Sequence, residues 1–446
     1  MSHVHVPERV VVKFLADSSK RRGSILSILL IGFLGSVWGW LMDADRFWQS
    51  YVSNWMFFTN VAVGAVLFAV VTWITKAQWN WSVRRVSLSF VAFLPVSFFL
   101  FLPLLTLGED YFPWILEMSH DPILQKKAAY LNMPFLVVRN VIGLLMLFGA
   151  ALYFAYLSLR PDMGLCEEKM SEGKRKVWRE RLTSGWAGQQ AEEARSYQRM
   201  LRLGPAFVML YFLIMSIISY DWVMSLEPHW FSTMMGPWFF MGAFWSGIAA
   251  TAVAVVFFKK QEPYLNEAMG VQQLHDIGKL TFGFAVFWTY LVFAQYLVIW
   301  YGKLPWEQSW IIHRSEEPWG KLSAVVVLMC FVIPFAGLIG RKAKMTPWFL
   351  RLVALIALGG LWLEKHLMVA PSIRNHETEI LGFTEFAIGL LFMGFFLFSL
   401  QWFLRIFPVI QVWQPASDPE AIELERVNSG LSEQAQKRSM PLRRWE

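Results

Sequence analysis

The sequence predicts an all-α membrane protein with about ten transmembrane helices, and its composition and its block pattern both support this fold class. Hydrophobic residues make up 56% of the 446 residues and charged residues only 16%, whereas ordinary soluble domains carry roughly a quarter charged residues. The apolar residues are gathered in long blocks. Because the lipid core holds little water, each backbone group must be paired within its own helix, so blocks of this length predict helices rather than strands.

Each apolar block has about 20 residues or more, enough to cross roughly 30 Å of hydrocarbon. The chain also has 24 Trp residues, and Trp favours the membrane–water interface, where many helix ends would lie. The ten blocks cover residues 23–42, 55–75, 86–107, 132–158, 205–225, 237–258, 279–302, 320–340, 347–367 and 384–406.

Lys and Arg residues alternate between rich and poor connections along the chain. One set of termini and connections holds 28 of the 40 Lys and Arg residues, and the other set holds six. Basic residues favour cytoplasmic loops, so we expect the rich set, including both termini, in the cytoplasm. This bias also explains the net charge of +7 without a nucleic-acid partner. The six residues of the poor set are Arg46, Lys126, Lys127, Lys303, Arg314 and Arg374.

These patterns divide the chain into five predicted regions. Residues 1–22 form a cytoplasmic N-terminus, 23–158 hold the first four transmembrane helices, and 205–406 hold the other six. Between them, 159–204 form a basic cytoplasmic loop that we expect to be partly helical. This loop is either a solvated connection or a surface for a partner or anionic lipid headgroups. Residues 407–446 form a cytoplasmic tail, which after Pro415 is polar and either extended or bound to a partner.

A short motif after the first and fifth apolar blocks suggests an internal repeat. Residues 42–50 and 224–232 both fit M-x-x-[DE]-x-x-W-x-S, and an aromatic-rich span follows each. Both preceding spans run in the same direction, so the motif would mark a parallel repeat four helices long. Chance similarity between apolar segments is the alternative.

Few ionisable side chains fall within or at the edge of the predicted spans, where they are costly and usually have a partner or a task. At 1.5 Å per residue, all of them fall in the outer, non-cytoplasmic half. They could form an outer proton half-path, or they could be helix-end residues and structural ion pairs, such as Arg139 with Asp221. Consecutive helical residues point about 100° apart, so the triplet 364–366 cannot all face lipid cheaply. The candidates are Arg139, Asp221, Glu227, His229, Glu364, Lys365, His366 and Glu385.

The sequence argues against a redox centre or a metal held by this chain. Its two cysteines, Cys166 and Cys330, belong to no CxxC or CxxCH motif, which disfavours iron–sulfur, c-type haem and thiolate zinc sites. A b-type haem with two imidazole ligands needs two facing histidines in the membrane. Of the eight histidines, only His366 is plainly within a span, with His229 at an edge. We find no nucleotide-binding glycine loop.

The stretch SYDWVMSLEPHWFSTMMGPWFFMGAF, residues 219–244, resembles the NrfD-like (polysulfide-reductase-type) quinol-interacting membrane subunits. It is most similar to the F subunit of alternative complex III, a quinol:electron-acceptor oxidoreductase of the bacterial cytoplasmic membrane. The resemblance implies two four-helix bundles plus two extra helices. It also implies that the partners are an iron–sulfur subunit, multihaem cytochromes c and a second NrfD-like subunit. Electrons would come from quinol, with menaquinol expected, and pass to haem c and iron–sulfur clusters in those partners.

The resemblance makes Asp221, Glu227 and His229 the motif-matched candidates for proton handling or a quinol cavity. A carboxylate near a quinol hydroxyl could take protons as electrons leave, and burial can raise its pKa toward the required range. We therefore expect a cofactor-free subunit that supports quinol oxidation, with no quinol-binding residue assigned. An independent secondary transporter and a purely structural scaffold of the complex are the alternatives.

Overall fold

In the residues that the structure describes, ten helices are long and apolar enough to cross a membrane, as the apolar blocks predict. The computed structural model describes residues 12–77, 79–109, 111–166, 173–261, 263–374 and 379–413, and no strand occurs in these ranges. In chain order the ten are α1 Ser19–Met42, α2 Ala44–Ile74, α3 Arg84–Thr106, α4 Met133–Leu165, α5 Gln189–Trp222, α6 Met235–Lys259, α7 Val271–Gly302, α8 Trp319–Leu338, α9 Pro347–Ile373 and α10 Phe383–Ile406.

Short helices lie in the connections between the ten long ones. The connection between α4 and α5 is partly helical, as expected, and α5 itself begins at Gln189, well before its apolar block. The Gln, Glu, Ala and Arg residues there are good helix formers that continue the helix beyond the lipid. The short helices are Trp114–Glu117, Pro122–Lys127, Lys174–Leu182, Pro263–Ala268, Pro305–Ser315 and Arg341–Met345.

Two of the long helices are irregular, and in both of them the irregular segments lie at or beside prolines. α3 alternates between α-helical and 3-10 segments, and Pro95 and Pro103 lie within it. α8 contains a π-helical turn, Leu328–Val332, just before Pro334. Proline has no N–H to donate to the carbonyl four residues earlier, so the regular hydrogen-bond ladder is interrupted there.

The helices pack as two four-helix bundles plus a pair. α2 to α5 form the first bundle, α6 to α9 form the second, and α1 packs along α10 beside the first. The bundles meet along α2 and α6. We call the end at which α1 begins the inner end and the opposite end the outer end. The charge bias predicts that the inner end faces the cytoplasm.

The two bundles touch backbone to backbone where α2 crosses α6. A Cβ added to Gly64 would lie 1.9 Å from the Ala243 carbonyl oxygen, and one added to Gly247 would lie 2.1 Å from the Ala65 nitrogen. Only glycine permits this approach. Gly64 and Gly247 are separated by the same number of residues, within one, as the two copies of the sequence motif. The crossing therefore agrees with a parallel repeat of four helices.

The start of the predicted tail packs against the inner end of the first bundle. Residues 407–413 are buried. The backbone N–H groups of Val412 and Trp413 donate to one Asp162 carboxylate oxygen at 3.0 and 2.9 Å. The Val409 N–H donates to the Lys13 carbonyl at 2.8 Å. The rest of the predicted tail, 414–446, and the first eleven residues of the predicted N-terminus lie outside the described residues.

Candidate functional site

The structure separates the eight candidate residues into five groups, all in the outer half or at the outer end. Two groups are ion pairs whose carboxylates are surrounded by donors. Two more, Glu227 and His229, lie in the connection between α5 and α6 at the outer end. The fifth, the triplet 364–366, lies within α9, and its three side chains are all buried.

Asp221 lies at the end of α5 and is fully buried. Arg139 on α4 makes a two-pronged contact with its carboxylate, Nε to Oδ2 at 2.8 Å and Nη2 to Oδ1 at 2.6 Å. The Tyr130 hydroxyl and the Asn140 amide donate to the same carboxylate at 2.9 and 2.6 Å. Each Asp221 oxygen thus accepts two hydrogen bonds, so all four acceptor positions of this carboxylate are occupied by Arg139, Tyr130 and Asn140.

Local sequence explains how Arg139 reaches Asp221. Asn132 caps the start of α4, accepting from the Phe135 N–H at 2.9 Å, so Arg139 and Asn140 fall in the second turn. The guanidinium also lies 3.9 Å from the centre of the Tyr130 ring. The structural ion pair that the sequence offered as the alternative reading is therefore present, and the geometry favours a bracing role.

Glu385 is the second saturated carboxylate. It lies in the first turn of α10 and pairs with Arg46 on α2, with contacts at 2.9 and 3.0 Å, and with Arg374 after α9 at 2.8 Å. The Ser50 hydroxyl and the Gly382 N–H add bonds at 3.1 and 2.8 Å. This cluster ties the outer ends of three helices together. Burial lowers the pKa of Arg374, and the charge of Glu385 opposes that shift.

Glu227, in the connection between α5 and α6, lies at the outer end of the second bundle. It accepts from Arg314 Nη1 at 3.1 Å and from the Ser372 hydroxyl at 2.6 Å. His313 Nδ1 lies 3.8 Å from the same carboxylate oxygen, and that side chain is 43% exposed. Burial lowers the pKa of Arg314 to about 10, opposed by Glu227, so the guanidinium stays charged at neutral pH.

Arg314 also completes the outer end of α9. Pro371 has no N–H, so the Leu367 carbonyl lacks its usual helical donor. Arg314 Nε donates to that carbonyl at 3.1 Å, and its Nη2 donates to the Met368 carbonyl at 3.0 Å. The short helix Pro305–Ser315 is thereby fixed to α9.

His229 belongs to the surface rather than to the interior. Its side chain is 44% exposed, and its Nε2 lies 2.7 Å from Asp121 Oδ2. The neighbouring Pro228 carbonyl accepts a hydrogen bond from Lys127 at 2.6 Å. The structure pairs His229 with Asp121 rather than with Asp221.

The Glu364–Lys365 pair lies inside the second bundle and has few partners. Glu364 Oε1 accepts from the Trp288 indole N–H of α7 at 2.7 Å, and Oε2 accepts from Lys365 Nζ at 2.8 Å. The other neighbours of Lys365 Nζ are weak: the Met368 sulfur at 3.6 Å and the face of Phe239 at 4.5 Å. The pair therefore has fewer hydrogen-bond partners among the described residues than Asp221 or Glu385 has.

Gln295 on α7 is a buried polar residue that sequence reasoning missed. It follows Trp288 by two helical turns, on the same face and about 10 Å nearer the outer end. Both its amide nitrogen and its amide oxygen are buried without a hydrogen-bond partner among the described residues. Such groups in a native interior indicate ordered water. Gln295 is therefore a buried amide with unused hydrogen-bonding capacity between the outer end and the level of Trp288.

His366 faces away from its two neighbours. It contacts the Trp362 ring edge-on at 4.6 Å, and Trp362 donates to Asn54 of α2 at 2.8 Å. The His366 Nε2 is buried and has no partner among the described residues. The residue thus lies between α9 and the first bundle, separate from Glu364 and Lys365.

Sequence reasoning identified most of the charged candidates but missed their partners. Lys and Arg in the outer connections were counted only as topology markers. The aromatic and amide donors carry no charge, so nothing in the sequence distinguished them from ordinary interface residues. The missed partners are Arg46, Asp121, Tyr130, Asn140, Trp288, Arg314 and Arg374.

No protein-family model and no curated protein matches this chain. Among the described residues, no three His, Cys, Asp or Glu side chains are grouped as a metal would need.

Proposed function

We propose that this chain is a cofactor-free membrane subunit of a quinol:electron-acceptor oxidoreductase in the bacterial cytoplasmic membrane, and that its second bundle carries a proton half-path. The observation that carries the proposal is the Glu364–Lys365 pair. It is fully buried yet has few hydrogen-bond partners, unlike the saturated carboxylates of Asp221 and Glu385.

The half-path would start at the outer end, where Glu227 and the exposed His313 meet water. From there Ser372 lies on α9 two turns above Lys365, about 10 Å away along the helix. The unpartnered amide of Gln295 supports water in the space between them. A proton would pass between Glu364 and Lys365, whose Oε2 and Nζ atoms lie 2.8 Å apart.

Asp221 and Glu385 receive a structural role in this proposal. Their carboxylates are held by guanidinium groups that cannot release a proton at physiological pH. The quinol, with menaquinol expected, the haem c and the iron–sulfur clusters would be bound by partner subunits, as the NrfD-like resemblance implies. No residue of this chain is assigned to quinol.

The secondary transporter is the weaker alternative. Transporters of that class commonly break corresponding helices of two repeats near the midplane. Here the irregular helices are α3 and α8, which are the second and third helices of their bundles and do not correspond. The scaffold alternative explains the saturated carboxylates but not the sparse partners of Lys365.

The first experiment tests membership of the complex. A purification tag on this chain should bring down c-type haem absorbance and iron–sulfur signals from native membranes in mild detergent. Recovery of this chain without redox partners, together with substrate uptake by the chain alone in liposomes, would favour the transporter.

The second experiment tests the half-path. The double variant Glu364→Gln/Lys365→Met removes both charges together and so avoids leaving one buried ion unpaired. We expect the complex to assemble and the protons moved per electron to fall in proteoliposomes. The control is Lys321→Met, which changes a lysine that is 77% exposed at the outer end. Unchanged proton stoichiometry and turnover in the double variant would leave only the scaffold role.

A further inference from the structure

A group of buried nitrogen donors lies at the inner end of the first bundle, far from the proposed half-path. It lies in the described residues around the connection from α2 to α3, 73–77 and 79–85. We call it the inner donor cluster, comprising Trp73, Asn80, Trp81, Arg84 and Arg85. All five side chains are buried.

Arg85 already has a carboxylate partner. It pairs with Asp162 of α4 and donates to the Ser158 carbonyl at 3.0 Å. The second Asp162 oxygen accepts from the Val412 and Trp413 N–H groups. Asp162 therefore balances one positive charge, and it accepts three hydrogen bonds, one from Arg85 and two from the tail.

Arg84 has no carboxylate within ion-pair distance among the described residues. Its Nη2 donates to the Ala77 carbonyl at 2.8 Å and to Asn80 Oδ1 at 3.0 Å, and the guanidinium lies 5.1 Å from the Trp73 ring centre. The side chain is 4% exposed. Burying a charge without a counter-ion costs several kcal/mol, so a missing anion would explain its presence.

The other buried arginines show what this chain does elsewhere. Of the four arginines buried in the described ranges, three pair with an acid. Those three pairs are Arg85–Asp162, Arg160–Glu192 and Arg314–Glu227. Arg84 is the exception. It also lies within electrostatic range of Arg85, so the cluster carries two positive charges against one negative charge.

The unpartnered groups of the cluster point to the chemistry of the missing ligand. Seven buried nitrogens lack an acceptor among the described residues, and all seven are donors. They are Trp73 Nε1, Asn80 Nδ2, Trp81 Nε1, Arg84 Nε and Nη1, and Arg85 Nε and Nη1. A water molecule surrounded by these donors would find no acceptor for its own hydrogens. The charged oxygens of a phosphate group, in contrast, only accept hydrogen bonds.

We infer that the inner donor cluster binds one phosphate group, with Arg84 as its principal ligand. The cluster lies where α2 ends and α3 begins, the height at which the headgroup phosphates of one leaflet lie. The phosphate can come from an anionic phospholipid headgroup or from free inorganic phosphate. The inference does not depend on the proposed redox function.

Two measurements on the full-length chain distinguish the sources. Native mass spectrometry during stepwise removal of detergent and lipid tests for one phospholipid that stays bound to the wild type. Thermal unfolding of lipid-depleted protein tests inorganic phosphate against potassium chloride of equal ionic strength. A retained phospholipid supports the headgroup source, and a phosphate-specific rise in Tm supports free phosphate. If the wild type shows neither a retained phospholipid nor a phosphate-specific rise in Tm, the inference is overturned, whatever the variants do.

Variants assign the binding to Arg84. Arg84→Gln should weaken the retained interaction about tenfold or more, because two or more charge-assisted hydrogen bonds are lost. Arg84→Lys keeps the charge and should retain part of the binding if the glutamine variant fails to fold. The control is Arg22→Gln, an exposed cation at the same end. Equal loss in Arg22→Gln would show a general charge effect and overturn the assignment.

Discussion

The crossing of α2 and α6 gives the sharpest mechanical prediction, because the added atom and its neighbour are both known. Changing Gly64 to Ala places a Cβ 1.9 Å from the Ala243 carbonyl oxygen, whereas ordinary contacts begin at 3.4 Å. The neighbour is backbone inside a helix and cannot rotate away. The two helices must therefore part by roughly 1.5 Å at this point, in an interior that is otherwise close-packed.

The expected loss of unfolding free energy follows from contributions of opposite sign. Forcing one extra methyl group into a packed core costs about 1–3 kcal/mol, and more when backbone must move. Alanine returns up to about 1 kcal/mol through its higher helix propensity. Parting by this distance also forfeits a large share of the dispersion contacts along both helices. We expect Gly64→Ala to lose about 2 kcal/mol or more of unfolding free energy.

The assay is denaturant unfolding of the purified chain in mixed micelles, followed by Trp fluorescence. The matched control is Gly149→Ala in α4, since no atom lies within 4 Å of a Cβ added there. That variant should keep or gain stability. If Gly64→Ala unfolds at the same denaturant fraction as Gly149→Ala, the close crossing of the two bundles is wrong.

Two further predictions concern the buried charges. Arg139→Met should destabilise the fold by about 3–5 kcal/mol because it strands the buried Asp221 carboxylate, whereas Arg139→Met/Asp221→Leu should recover most of that loss in the same unfolding assay; equal losses would contradict a coupled pair. Asp162→Asn should weaken the hydrogen bonds to residues 412–413, so their amide hydrogens should exchange faster, as measured by mass spectrometry. Unchanged exchange would mean that other contacts hold this segment in place.

The ten spans could be predicted from the sequence because the cost of exposing unpaired backbone groups to lipid applies to each apolar block separately. It also identified the triplet Glu364 to His366 as unable to face lipid, since helical geometry spreads consecutive side chains around the axis. All three are buried. The two bundles, expected from the resemblance, agree with the observed helix packing.

Partner choice could not be predicted in the same way. Asp221 and Glu364 were both candidate acids late in a span, yet one carboxylate accepts four hydrogen bonds and the other two. That difference depends on which helices become neighbours, which is a property of the whole chain. Arg84 was counted as a loop residue that marks topology, and its burial became visible only in the structure.

The bond from Arg314 to the Leu367 carbonyl has a practical consequence for engineering this protein. The connection between α7 and α8 lies outside the spans, but it supplies the donor that a proline removed from α9. Replacing residues 303–318 with a flexible linker would expose an unpaired carbonyl near the membrane boundary. Chimeras and insertions should therefore treat that connection as part of the embedded fold and place foreign sequence elsewhere.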